Sequence, residues 1–243
     1  MHTAKYKLLS IVMAACFLFL VLTILAMFFY PGGTRSNPET QGYHFFENFF
    51  SEMGLTQTYA GETNTVSFTL FTVGLALAGT ALALYFCIAP SLFWELRITR
   101  ISSLIGSTFG FISGLSFMGV AFTPANLNLV PHRLFVQLAF VTFFVAVIFY
   151  ALAIFLNHSY PNRYAWVYIT FGVLLGSYIW LLFFGPATTT PNGLLIQVTG
   201  QKIIAYAAIF CMFIQAYGSR SVLNIRDKED RYDARTEQIS TAS

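Results

Sequence analysis

The sequence predicts an all-α, polytopic bundle of six transmembrane helices, with a short amphipathic interfacial helix in the first outer loop. Three observations carry that prediction. Charged residues are 9% of the chain and hydrophobic residues 56%, with a mean hydropathy of +0.66, whereas soluble domains carry about 25% charged residues. Six apolar runs approach or exceed the ~20 residues a helix needs to cross the hydrocarbon core. Prolines and glycines separate these runs.

The first run, Leu8–Tyr30, follows Lys5 and Lys7. A secretory signal would present about 7–15 apolar residues here; this run has 23, so a retained first span is expected. Pro31-Gly32-Gly33 ends it. The second run is Val66–Ala89, closed by Pro90, and the third is Ile101–Phe122. In the third, Gly106, Gly110 and Gly114 recur every four residues, a spacing that lets helix backbones approach closely where lipid supplies no hydrophobic drive. Pro124 and Pro131 precede the fourth run, Leu134–Leu156, and Pro161 the fifth, Tyr164–Phe184, where Gly172 and Gly176 repeat the small-residue spacing. A backbone-lined ligand groove is the alternative use of these glycines. The sixth run, Ile203–Tyr217, is long enough only if Gln197–Lys202 opens the same helix. The spans are therefore about 8–30, 66–89, 101–122, 134–156, 164–184 and 197–217, in one transmembrane domain over 1–218. Residues 219–243 are charged, mixed in sign and without an apolar stripe, as expected of a disordered cytoplasmic tail.

Of the 13 Lys and Arg residues, ten fall on the side holding the termini and three (Arg35, Arg133 and Lys202) on the other. The positive-inside rule then expects both termini in the cytoplasm, in a multi-pass protein of the cell (inner or plasma) membrane. The basic residues are scattered at helix ends, so no nucleic-acid partner is expected; membrane lipids are. A membrane-protein partner and a homo-oligomer both stay open. Cys16, Cys87 and Cys211 lie inside apolar runs, with no CxxC spacing, and read as small hydrophobes.

The longest segment outside the spans is Pro31–Thr65, on the outer side. Within it His44, Glu47, Asn48 and Ser51 fall at helical spacing, and Phe46, Phe49, Phe50 and Met53 fall opposite. This pattern predicts an amphipathic helix capped by Gly54. Its Phe face either lies in the acyl boundary or packs on the bundle as a lid.

Polar residues also gather where the even spans begin: Glu52, Glu62 and Asn64 before the second, His132 and Arg133 at the fourth with Gln137 a turn deeper, and Gln197, Gln201 and Lys202 at the sixth. Helix N-termini together with Arg133 and Lys202 suit an anionic headgroup, with Glu52 as counter-ion to either cation or as a base beside His132. The plainer reading of each residue is a side chain that snorkels to water. No Asp, Glu, Lys, Arg or His occupies the middle of a span, which argues against a pump. Neither a metal site nor a cofactor is expected, because only His44 and His132 lie outside and their spacing supports no zinc centre.

Phe50-Ser51-Glu52-Met53-Gly54, Asn64, Pro131-His132-Arg133 and Gly200-Gln201-Lys202 resemble domain-of-unknown-function family 998, six-span prokaryotic membrane proteins. The chain is more distantly similar to the DRAM/Sfk group of six-span proteins, whose ISD-x-G element has Asp where this chain has Glu52. The resemblance implies six spans and one functional region formed by Ser51, Glu52, Asn64, His132, Gln201 and Lys202. It implies no reaction. The function expected first is non-catalytic binding of a lipid headgroup or membrane partner by the outer cluster. An intramembrane lipid-modifying enzyme with His132 and Glu52 as acid and base comes second, and a transporter of a small uncharged solute third.

Overall fold

A computed structural model describes residues 2–241. Six α-helices run in sequence: α1 (His2–Phe28), α2 (Thr65–Ile88), α3 (Arg97–Ala121), α4 (Leu129–Phe155), α5 (Arg163–Phe184) and α6 (Pro191–Thr241). All six are long and apolar enough to cross a membrane, and no strand occurs among the described residues. The chain is a multi-pass helical bundle.

Four helices, α1, α3, α4 and α6, begin four or more residues before their apolar runs, and in the last two a proline occupies the first turn. Pro131 lies in the first turn of α4 and Pro191 is the first residue of α6. There the missing N–H would have had no intrahelical partner, and the fixed φ suits a helix start. Both prolines begin helices instead of separating them. At its other end α6 does not give way to a disordered tail at Ser219. Ser219, Val222 and Leu223 are buried, and Arg226 reaches Glu95 at 2.6 Å. The charged segment continues the helix to Thr241; the final two residues of the expected tail lie outside the described residues.

Each helix packs on its neighbours in sequence, and α1 meets α6, so the bundle is a closed ring. An even number of crossings puts both termini on one face. The opposite face carries the first loop (residues 31–64), folded over the ring. The half of the ring toward the termini is filled with aromatic side chains, among them Tyr85, Phe86, Phe143, Tyr150 and Tyr168. Its hydroxyls tie helices together: Ser107 to Tyr150 at 2.6 Å, and Ser219 to Tyr85 at 3.2 Å and Tyr160 at 3.1 Å. A second, smaller cluster lies under the first loop, where Phe50 and Met53 of the loop join Phe19, Phe71, Leu75 and Val120.

The glycine stripe of α3 serves two neighbours. A Cβ at Gly106 would meet the Tyr150 ring of α4, one at Gly110 the Phe86 ring of α2, and one at Gly114 the backbone of Gly79 and Ala83. On α5, Gly172 and Gly176 face Val147 and Phe144 of α4 with more room. These are packing positions, as small residues at this spacing usually are.

Candidate functional site

The first loop does not form the expected continuous amphipathic helix. It makes a turn at His44–Asn48, then a five-residue 3-10 helix, η1 (Phe50–Gly54). The stripe read as polar is interior at Asn48, 0% exposed, and Glu52 outside that stripe is also buried at 2%, while Phe45 and Phe46 are exposed. Helical periodicity alone cannot tell which stripe faces inward when polar partners wait inside. Gly54 is not a left-handed cap either; a Cβ there would strike the Phe71 ring at 2.8 Å.

The partner of Glu52 is Arg35, which covers it from the solvent side. Gly33, at φ +87°, turns the chain where a Cβ would run into the Ala60 backbone, and the loop then lays Arg35 across η1. Its Nε donates to Glu52 Oε1 and to the Tyr59 hydroxyl, each at 2.9 Å, and its guanidinium lies 4.7 Å from the centre of the Phe49 ring. Glu52 therefore takes Arg35 as counter-ion, not Arg133 or Lys202. The other carboxylate oxygen accepts from Asn48 Nδ2 at 2.9 Å.

Asn48 is the hub of this arrangement. Its Nδ2 also donates to Gly33 O at 2.9 Å, and its Oδ1 accepts the His44 N–H at 2.9 Å. Its main-chain carbonyl accepts from the Tyr43 hydroxyl at 3.1 Å and from Lys202 Nζ at 2.5 Å. Lys202 is 2% exposed, and its ammonium sits 5.2 Å from the Tyr43 ring centre and 5.0 Å from that of Phe45. Cation–π contact of this kind gains strength where water is excluded. Gln201, next along α6, accepts the Phe50 N–H at 2.7 Å. Two successive residues of α6 thus hold the loop down.

Burial is the largest influence on Glu52 and pushes its carboxyl above the ordinary range, against the opposing pull of the Asn48 amide and of Arg35. Burial, reinforced by the Glu52 charge, likewise raises the Tyr43 phenol well above its usual value.

The remaining predicted residues divide. Asn64 donates to Met53 O at 3.0 Å and Leu55 O at 2.8 Å, so it anchors the end of η1 on α2. His132 is 7% exposed, and its Nδ1 is bonded to Thr123 O at 2.7 Å, closing the corner between α3 and α4. Arg133 is exposed beside it. His132 and Glu52 share no hydrogen bond or ion pair; each is engaged elsewhere. No group of three His, Cys, Asp or Glu among the described residues is placed to hold a metal ion.

Beneath the loop the ring contains a cavity. It encloses about 750 Å3 of unfilled space, open mouth included, of which about 90 Å3 admits the centre of a water-sized sphere. Phe50 and Ser51 of η1 and Gln201 of α6 line one part of it; the rest is apolar, including Phe19, Leu82, Phe140 and Ile209. Phe50 spans this roof, its ring 5.9 Å from Phe19, 5.8 Å from Phe71 and 5.6 Å from Tyr206. The space exists because Ala78, Ala205 and Ala208 stand where larger residues would fill it.

Three features of the site escape a reading of the sequence: Arg35 as the partner of Glu52, Asn48 as the hub, and the cavity. The first two had a faint signal, since Asn48 sits four residues before Glu52 and Gly32-Gly33 marks a reversal just before Arg35. The cavity had none.

If Asn48 holds the loop, Asn48→Ala should free it without unfolding the ring. Removal of three side-chain hydrogen bonds at about 1 kcal/mol each is expected to speed amide hydrogen exchange by tenfold or more. The effect should be confined to peptides from residues 32–54, read by mass spectrometry. Exchange that rises equally in α3 and α4 would deny Asn48 this local role. Comparison with models of known protein families, with curated proteins and with solved structures finds no match for this chain.

Proposed function

We propose that this protein is a non-catalytic lipid-binding membrane protein that holds an apolar chain in the ring cavity beneath the first loop. The observation that carries this reading is the cavity itself: space inside a transmembrane ring, walled by apolar side chains except for Ser51 and Gln201. Pockets of this character favour hydrocarbon with few, placed polar contacts. In this reading the polar cluster fastens the cap and does not receive a charged headgroup, because Glu52 and Lys202 already have partners. The excess of Lys and Arg on the termini face supports an orientation with the termini in the cytoplasm. The ligand would then come from the outer leaflet of the cell membrane. The FSEMG, PHR and GQK segments support kinship with family 998, proposed on those residues alone.

The enzyme reading needs an acid–base pair, and His132 and Glu52 bind different partners. Transport of a solute needs a path, and Tyr85, Phe86 and Tyr150 fill the ring below the cavity.

The test is the lipid content of the purified protein. Native mass spectrometry in mild detergent should find a retained lipid, and Ala208→Phe, which places a ring in the cavity, should lose at least nine-tenths of it. A wild-type protein that carries none, or an unchanged load in Ala208→Phe, would rule this function out.

A further inference from the structure

We propose that the cavity takes an uncharged lipid, a hydrocarbon chain ending in a hydroxyl or an ester, and discriminates against carboxylate and phosphate ends. This rests on the lipid-binding reading above and narrows it to a chemical class.

The argument is one of polar partners. Two polar side chains line the cavity, Ser51 and Gln201. Gln201 spends its Oε1 on the Phe50 N–H. The Ser51 hydroxyl can donate one hydrogen bond and accept others, whereas Gln201 keeps only amide N–H donors, so Ser51 is the group in the wall that can both donate to and accept from a ligand. No charged residue is part of the wall. The charges of the polar cluster above it are committed elsewhere: Arg35 with Glu52 at 2.9 Å, and Lys202 on the Asn48 carbonyl and the Tyr43 and Phe45 rings. An anion in this wall would be buried without a cation, which costs far more than burying a hydroxyl whose hydrogen bond is made. A hydroxyl or an ester carbonyl needs a single partner, and Ser51 supplies one.

The probes are photoactivatable sixteen-carbon lipids of equal length, one an alcohol and one a carboxylic acid. Each is offered to full-length protein in nanodiscs at pH 8, and labelled peptides are mapped by mass spectrometry. The alcohol should label the α6 peptide containing Ala205, Ala208 and Ile209 at least about tenfold more than the acid, because a carboxylate buried without a cation costs more than a hydroxyl whose hydrogen bond is made. Ser51→Ala should bring the alcohol's labelling down toward that of the acid. Equal labelling by the acid overturns the proposal, most clearly if Lys202→Met then abolishes it, because a cation would be receiving the headgroup. Undiminished alcohol labelling in Ser51→Ala overturns the assignment of Ser51 as anchor. Labelling of the ring by neither probe would strike down the lipid-binding reading as well, so the two failures are distinct.

Discussion

Gly114→Ala is expected to destabilise the bundle by about 2–3 kcal/mol, and Gly114→Val by more, to the point where little folded protein survives extraction. A Cβ at this position would lie 2.6 Å from Gly79 O and 2.7 Å from Ala83 N. Those are backbone atoms of α2, so no side chain can swing aside; the two helices must part. Close backbone approach is what holds membrane helices together where lipid competes for every apolar surface, and the loss spreads along the whole α2–α3 contact. Gly172→Ala makes the informative control, because the chemistry is the same and the neighbour is not. There the new methyl would meet Val147 Cγ1 at 3.2 Å, the tip of a side chain. The gain in helix propensity, up to ~1 kcal/mol, offsets that crowding, so Gly172→Ala should stay within about 1 kcal/mol of wild type. Thermal unfolding in detergent, followed by size-exclusion chromatography, compares the two. Equal losses would show that the close approach at Gly114 has no special weight.

The same contrast shows what the sequence can and cannot disclose. Six spans were legible because the bilayer imposes a length and a composition that survive in the linear order of residues. The small-residue spacing on α3 was legible too. Which neighbour each glycine meets was not, since Gly106 faces α4 while Gly110 and Gly114 face α2, and that depends on the ring closing. In the first loop the reading failed for a tertiary reason. Asn48 falls on the polar stripe of the expected helix, yet it and Glu52 are buried because Arg35 folds over them and Lys202 rises from α6 beneath. Pairings that span 17 and 154 residues leave no periodic trace. The cavity is less legible still, being defined by side-chain volume that is missing from α2 and α6 at once.

Glu52 should behave as a residue whose acceptor oxygens matter more than its charge. In Glu52→Ala the Asn48 amide and the Arg35 guanidinium lose their shared acceptor, and a stability loss of about 2–3 kcal/mol at pH 7 is expected; the figure is kept at the lower end because the Arg35 side chain, 37% exposed, can turn to water. Glu52→Gln keeps an oxygen for one of the two donors and removes a charge that burial opposes, so it should lie much nearer wild type. The pH dependence follows from the raised carboxyl. Below the ordinary carboxylate range Glu52 is protonated whether the chain is folded or not. As pH climbs through that range the unfolded chain ionises first, and the folded protein loses stability until pH passes the raised native value. Acidification from pH 7.5 toward pH 5 should therefore stabilise wild type relative to Glu52→Gln, in which this group no longer titrates. Unfolding midpoints of the three proteins in nanodiscs, taken across that interval, measure the difference directly. Equal damage in the two variants, with the pH slope intact in Glu52→Gln, would mean that the slope arises elsewhere and that Arg35 binds the charge more strongly than burial resists it.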